Sequence, residues 1–203
     1  MNEAFVPSRF LLVFVETLSA DIGRRNLTAV LEKDGLPTDW TDPAHLSSLD
    51  EEHSAEVYAG LQSALRTYYG RGARGTLIRI GSKMWNRLLN DAAFGAKAQA
   101  ALVHGLPMPA RHKPALELLA GLMSARKGDV TVHTLDLDFL LADHASPATL
   151  GQKDSTSICY VTLGLIREAL YWAAGKEYDI EETSCRAAGA RDCEFKITVG
   201  GSS

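Results

Sequence analysis

Residues Lys176 to Val199 read KEYDIEETSCRAAGARDCEFKITV, and this stretch decides the fold. Tyr178, Ile180 and Glu182 fall on one side of the run from Lys176 to Thr183. Cys193, Phe195, Ile197 and Val199 fall on one side of the run that follows, and this period of two belongs to strands. An Ala-rich turn containing Gly189 joins the two runs as neighbours. The apolar members mark the buried face, so Glu182 is a carboxylate pointing inward, where an unpaired charge costs on the order of several kcal/mol. Cys193 is on the matching face and Cys185 lies just beyond the strand.

Upstream, the run from Thr156 to Ala174 is apolar on nearly every side, interrupted mainly by Arg167 and Glu168, which predicts a deeply buried helix with Gly175 as its C-cap. Cys159 stands on this helix. Before it, Val130, Val132 and Thr134 alternate with polar neighbours and Phe139 to Ala142 form a short apolar run, the pattern of paired strands. The first half instead has helical periodicity. Phe10, Leu11, Phe14, Val15 and Leu18 form one stripe, Asn26 to Lys33 a second helix, and Leu36 to Leu49 a loop. Val57, Tyr58, Leu61, Leu65 and Tyr68 form another stripe, and further helices run from Thr76, from Ala96 to Val103 and from Lys113. The expected class is α+β: a helical N-terminal half packed on an antiparallel sheet, with a central buried helix and a C-terminal hairpin. Residues 1–50 read as N-terminal helices suited to dimerisation, and residues 51–203 as the domain that carries the chemistry.

The 203 residues are 46% hydrophobic and 23% charged, with 17 Gly and 7 Pro, which excludes collagen-like, low-complexity and largely disordered classes. The longest apolar run, Phe10 to Val15, is far short of the roughly 18 to 20 residues that span a bilayer. Without a basic segment before an apolar one at the N-terminus, the expected location is the cytoplasm. Eleven Lys or Arg against Asp91 and Glu117 make the segment from Arg66 to Lys127 basic within a chain of net charge −4. No recognition-helix, RNP or zinc-finger pattern turns this into a nucleic-acid site, and an intramolecular complement accounts for it. Gly70 to Gly75 lacks Walker spacing and reads as a turn. No nucleophile elbow, dinucleotide fingerprint or pair of catalytic carboxylates is present, so the sequence assigns no catalytic residue.

Three cysteines in the last 45 residues do not make a disulfide framework. Cys159, Glu182, Cys185 and Cys193 offer three thiolates and a carboxylate, a set that suits a closed, structural zinc site. Two alternatives stay open on the residues alone: thiols that simply pack, and a Cys185–Cys193 disulfide that leaves Glu182 without a partner.

The pattern Cys159, Glu182-x-x-Cys185, Ala187-x-Gly189-x-x-x-Cys193-x-Phe195 resembles the 4-vinyl reductase domain family. In its ligands it is most similar to the aromatic-sensing domain of phenol-responsive transcription activators. The resemblance covers about the last 45 residues. It implies zinc at these four positions and a fold like that of the Golgi transport-particle subunits and of some haem nitric-oxide sensors, with the hairpin clasped by the metal. It also implies a pocket for a small hydrophobic or aromatic ligand between helices and sheet, with candidate walls Trp85, Phe94, Phe139, Tyr160, Leu163, Trp172, Tyr178 and Ile180; His112, between Arg111 and Lys113, is read separately as a group to hydrogen-bond or ligate a guest of that pocket. Where the aromatic sensors carry a Trp, this chain has Asp136-Leu137-Asp138-Phe139, a departure that bears on phenol itself. The functions implied are a ligand sensor acting through a homodimer or a separate signalling partner, a tetrapyrrole-handling accessory of bacteriochlorophyll synthesis, or an acyl-binding interaction module.

Overall fold

A computed structural model describes residues 4–200. Among the described residues eight helices precede or interrupt four strands: α1 (Ser8–Ile22), α2 (Arg24–Lys33), α3 (Pro43–Ser48), α4 (Glu51–Tyr69), α5 (Ala73–Asn90), α6 (Phe94–Gly105), α7 (His112–Met123), β1 (Val130–Leu135), β2 (Asp138–Asp143), α8 (Tyr160–Ala174), β3 (Asp179–Ser184) and β4 (Cys193–Thr198). Local chemistry sets the ends. Asp50 caps α4 by accepting from the His53 N–H, and Asp42 caps α3, with Pro43 at the first helical position. Part of the expected loop from Leu36 to Leu49 is therefore the short helix α3. Helix α8 starts at Tyr160 rather than Thr156, because the Asp154 carboxylate captures the Thr156 N–H and hydroxyl in a local turn that competes with helix. At its other end Gly175, at φ 71, is the expected cap.

The core is chiefly helical. The α1 stripe Phe10, Leu11, Phe14, Val15 and Leu18 is buried within this chain, as are Tyr58, Leu61 and Leu65 of α4. Helices α5 and α8 approach so closely that a Cβ on Gly81 would lie 2.1 Å from the Val161 carbonyl oxygen, and one on Gly164 would lie 2.0 Å from that of Ile78. The two glycines admit backbone where any other residue would put a side chain. Charge joins α5 to α1 as well. Asp21, 6% exposed at its side chain, takes Arg79 at 2.6 Å and Lys83 at 2.5 Å, and Arg87 lies 3.6 Å from Glu16. Part of the basic segment is thus complemented inside the chain.

The strands form one antiparallel sheet in the order β1-β2-β4-β3. Phe195 faces Leu141 on one side and Glu182 on the other, and Ile197 faces Phe139 and Ile180. Asp136 and Leu137 turn β1 into β2, and Asp138 accepts the Val199 and Gly200 N–H groups, so these residues close the hairpin and hold the chain beyond β4.

The expected 4-vinyl reductase-like architecture, a helical half packed on a sheet with a zinc-clasped C-terminal hairpin, is corrected. The buried helix α8 packs mainly against α5 and next against α7, not across a broad sheet face. Strand β4 is an interior strand between β2 and β3, not half of a free clasp. The physical reason is that a lone hairpin is marginal in water, and pairing with β2 gives β4 a second ladder. The fold is a helical body with a small antiparallel sheet.

Candidate functional site

Four side chains meet where α8 begins. Cys159 is the residue before the first turn of α8, Glu182 and Cys185 come from the end of β3, and Cys193 opens β4. Their ligand atoms all lie within 4.8 Å of one another. The sulfur separations are 3.4 Å for Cys159–Cys193 and 4.0 Å for both Cys159–Cys185 and Cys193–Cys185. All three thiols are free and buried.

A β-bulge brings Cys185 into the group. Glu182 is opposite Phe195 and Ser184 opposite Glu194, so Thr183 is an extra residue on β3. Simple alternation would send Cys185 to the face opposite Glu182; the bulge restores it to the same face. The Cys159 N–H donates to Glu182 Oε2 at 3.1 Å, and the Arg186 N–H donates to Cys193 Sγ at 3.3 Å. Glu182 Oε1 is buried with no hydrogen-bond partner among the described residues.

These contacts divide the charge unevenly. Burial pushes the Glu182 carboxyl up to about 8. The Cys185 thiol is driven down because the Cys159 and Cys193 thiols both donate to it, and the Cys159 thiol is driven up for the same reason. Three thiolates and a carboxylate cannot share this volume without a cation. A divalent ion relieves that repulsion and takes the stranded Oε1 as a ligand, so the donor set fits a metal.

The expected ligand-binding residues separate into clusters. Trp85 is buried and meets Trp172 edge-on at 5.4 Å, and His104 packs on Trp172 at 4.3 Å. His112, 4% exposed, lies beside Phe139 and Tyr178. Tyr160 and Leu163 stand on the first turn of α8, and Ile180 faces Ile197 in the sheet. Phe94 is corrected as a wall residue: it is 86% exposed at the start of α6, a helix whose buried residue is Val103.

Two concavities are lined by none of the four cluster residues, although Asp143 of the second is paired with Cys193 across the sheet. A groove of about 480 Å³ runs along α5 and α8 and is lined by Ile78, Arg79, Ser82, Arg167, Tyr171 and Tyr178 among others. Of the expected wall residues, Tyr178 is in it. A narrow cavity lies beneath the N-terminal segment, between α1, α4 and the β1–β2 hairpin, with Phe5, Phe10, Tyr58 and Asp143 in its lining. Asp143 is 2% exposed and lacks a partner for Oδ2 among the described residues; burial raises its carboxyl to about 7. Sequence reading missed Asp143, because the apolar run from Phe139 to Ala142 ends one residue before it; a lone acid closing a buried strand was the available signal.

Helical body and small antiparallel sheet together define an H-NOX-like fold. An H-NOX protein from S. oneidensis in the Fe(II)NO state is 16% identical, with 94% of this chain and 97% of that chain covered and a TM-score of 0.59. An unliganded Fe(II) H-NOX protein from K. algicida is 11% identical, with 94% of each chain covered and a TM-score of 0.57. A third H-NOX structure, described by its heme distortion, is 11% identical, with 99% of this chain and 96% of that chain covered and a TM-score of 0.54. This likeness overturns the 4-vinyl reductase-like fold with its zinc-clasped hairpin. Residues 144–199, which contain all four cluster residues, match the sequence profile of the 4-vinyl reductase domain. No curated protein matches the chain.

The fold raises the question of haem, and the histidines near the expected pocket walls are not placed to hold one. A haem iron takes an axial His, Cys, Met or Tyr. Both His112 nitrogens are engaged: Nδ1 with the Pro109 carbonyl at 3.0 Å, and Nε2 with the Tyr178 hydroxyl at 2.5 Å. Its neighbourhood is filled by Phe139 and Tyr178, as that of His104 is by Trp172. Neither concavity has a His or Cys among the described residues of its lining, so neither offers an imidazole or a thiolate; Tyr58 and Met123 in one and Tyr171 and Tyr178 in the other are the axial-type side chains present.

Proposed function

We propose that this chain is a small-molecule-binding sensor domain whose Cys159, Glu182, Cys185 and Cys193 cluster holds a structural zinc ion. The carrying observation is the sulfur geometry. Sulfurs about 2.3 Å from zinc in a tetrahedron lie about 3.8 Å apart, and the three separations here are 3.4, 4.0 and 4.0 Å. Four protein ligands leave no open position, so the ion is structural rather than one that activates water. The 4-vinyl reductase domain match over residues 144–199 and the small-ligand states of the similar H-NOX proteins support a binding role over a catalytic one. Three reduced thiols suit the cytoplasm.

Metal analysis of protein purified without chelator tests this reading. About one zinc per chain is expected, with all three thiols unreactive until the protein is denatured. Metal-free protein with three titratable thiols overturns it.

A further inference from the structure

Helix α6 carries its small residues inward and its large ones outward. Its inner side is Ala96, Ala100 and Val103, and Val103 packs with Ala115 of α7 and Ala173 of α8. On the outer side Phe94 is 86% exposed and Leu102 72%, and Leu106 and Met108 continue the exposed apolar surface just past the helix. One exposed apolar residue is ordinary, but several in one helix and the turn that follows it mark a surface that something covers. The α1 stripe, by contrast, is buried within the chain. Arg111 donates to the carbonyls of His104 and Leu106, which holds the end of α6 and that turn in place. Charge is sparse on this side: between Asp91 and Glu117 the chain has no acid, and Lys97 is the one Lys or Arg of α6.

We propose that the outer face of α6 is the contact through which two copies of this chain pair, their helices antiparallel about a twofold axis. The order of sizes along the face carries the assignment. Phe94, Ala98, Ala101 and Gly105 share one side by helical spacing, and all four are exposed. An antiparallel twofold through the middle of the helix sets Phe94 against the partner's Gly105 and Ala98 against the partner's Ala101. The largest side chain then meets the residue that has none, and small meets small. A carbon added to Gly105 would meet nothing within 4 Å, so the space that receives the ring is open in the single chain. The same axis brings Leu102 beside the partner's Leu102 on one flank and leaves Lys97 at the other edge, its stem on apolar surface and its ammonium in water. The 12 residues of α6 are about 18 Å long and, with side chains, about 10 Å wide. Such a contact falls at or below the low end of specific interfaces, about 1,200 Å² in total, so the pairing is weak and concentration-dependent. An anionic bilayer finds a single Lys on this helix, where helices that lie on membranes carry several basic residues. The pairing stands independently of the zinc and ligand readings.

Analytical ultracentrifugation of the purified full chain from about 5 to about 500 μM tests the pairing. Dimer is expected to replace monomer with a dissociation constant on the order of 10 to 100 μM. Leu102→Lys and Leu102→Glu each set like charges against one another across the axis, and each alone is expected to weaken association by about tenfold or more. Mixed in equal amounts, the two variants are expected to form a one-to-one heterodimer about tenfold or more tighter than either variant with itself, and high salt is expected to weaken it. Position 102 is exposed, and circular dichroism confirms that both variants keep the fold. Recovery in the mixture requires residue 102 to meet its own counterpart, which neither a head-to-tail contact nor a general loss of apolar surface reproduces. Monomer at every concentration overturns the proposal. A dimer that neither substitution weakens overturns it too, because the contact then lies elsewhere. So does a monomeric chain that floats with phosphatidylcholine–phosphatidylserine vesicles, which assigns the face to a bilayer.

Discussion

Cys185 and Glu182 face the same side of β3 although three positions separate them, because Thr183 is an unpaired extra residue opposite the Phe195–Glu194 step. The E-x-x-C spacing becomes a metal-binding spacing only through that bulge. Removing a ligand from a closed tetrahedral site removes most of its affinity. Cys185→Ser is expected to lower bound zinc from about one per chain to about a tenth or less, with Glu182→Gln intermediate because an amide oxygen still coordinates. Metal analysis of the purified variants checks the order; a Cys185→Ser protein with full zinc content refutes it.

An ion bound only by the folded state stabilises it by mass action, about 2.7 kcal/mol at a hundredfold excess over its dissociation constant. For a chain of this length each kcal/mol moves the melting temperature by roughly 2 to 4 °C. Chelation is therefore expected to lower Tm by about 5 to 10 °C, and stoichiometric zinc to restore it. Differential scanning calorimetry with and without chelator decides. An unchanged Tm places the metal outside the fold's stability.

Much of this site was legible because a strand's period of two is a strong constraint. Glu182, Cys193 and Phe195 were assigned faces from alternation alone, and the register pairs Glu182 with Phe195. The bulge at Thr183 was not legible, since its residue is an ordinary strand former and the irregularity resides in pairing. The helix–helix crossing was hidden for a related reason: Gly81 and Gly164 look like weak points in two apolar runs until the partner backbone is seen beside them. The aromatic residues read as pocket walls are large apolar groups, and in the fold Trp85 and Trp172 pack edge-on against one another, a pairing that composition and periodicity do not reveal.

That crossing gives the largest effect on stability. A Cβ at Gly81 or Gly164 meets backbone at about 2 Å, which no rotamer change relieves, so helices α5 and α8 must move apart. Gly81→Ala and Gly164→Ala are each expected to cost about 3 kcal/mol or more. Gly121→Ala, on an exposed position of α7 with nothing within 4 Å of the added carbon, is expected to stabilise by up to about 1 kcal/mol. Urea denaturation of the three variants checks the sign at each site.

Asp21 joins the end of α1 to Arg79 and Lys83 of α5, and hydrogen bonding to Arg79 holds its carboxyl down to about 2 from 3.8. A depressed folded-state value means a contribution fully present above the unfolded pKa and lost as pH falls from about 4 toward 2. Both cations are about half exposed, so the contribution is about 1 kcal/mol or less and is weakened by salt. Asp21→Asn is expected to melt below the wild type by a constant margin between pH 5 and 7, the two curves converging near pH 2. Curves that stay parallel through that window show that the carboxylate's charge is not what matters.

The last expectation concerns haem, where fold and residues point apart. Capture of an iron porphyrin needs an axial donor free to face a porphyrin-sized space. In this chain His112 gives Nδ1 to the Pro109 carbonyl and Nε2 to the Tyr178 hydroxyl, so either nitrogen reaches an iron only by giving up a hydrogen bond worth about 0.5 to 1.5 kcal/mol. His104 has a freer ring but lies against Trp172, itself packed on the fully buried Trp85. Admitting a porphyrin there costs the packing of two tryptophans. Haemin mixed with the purified protein is therefore expected to give only the broad absorbance of nonspecifically bound haem, identical in wild type, His104→Ala and His112→Ala. A sharp Soret band that one of these substitutions removes would show that the H-NOX-like fold has kept its iron ligand, and that the aromatic packing opens to admit it.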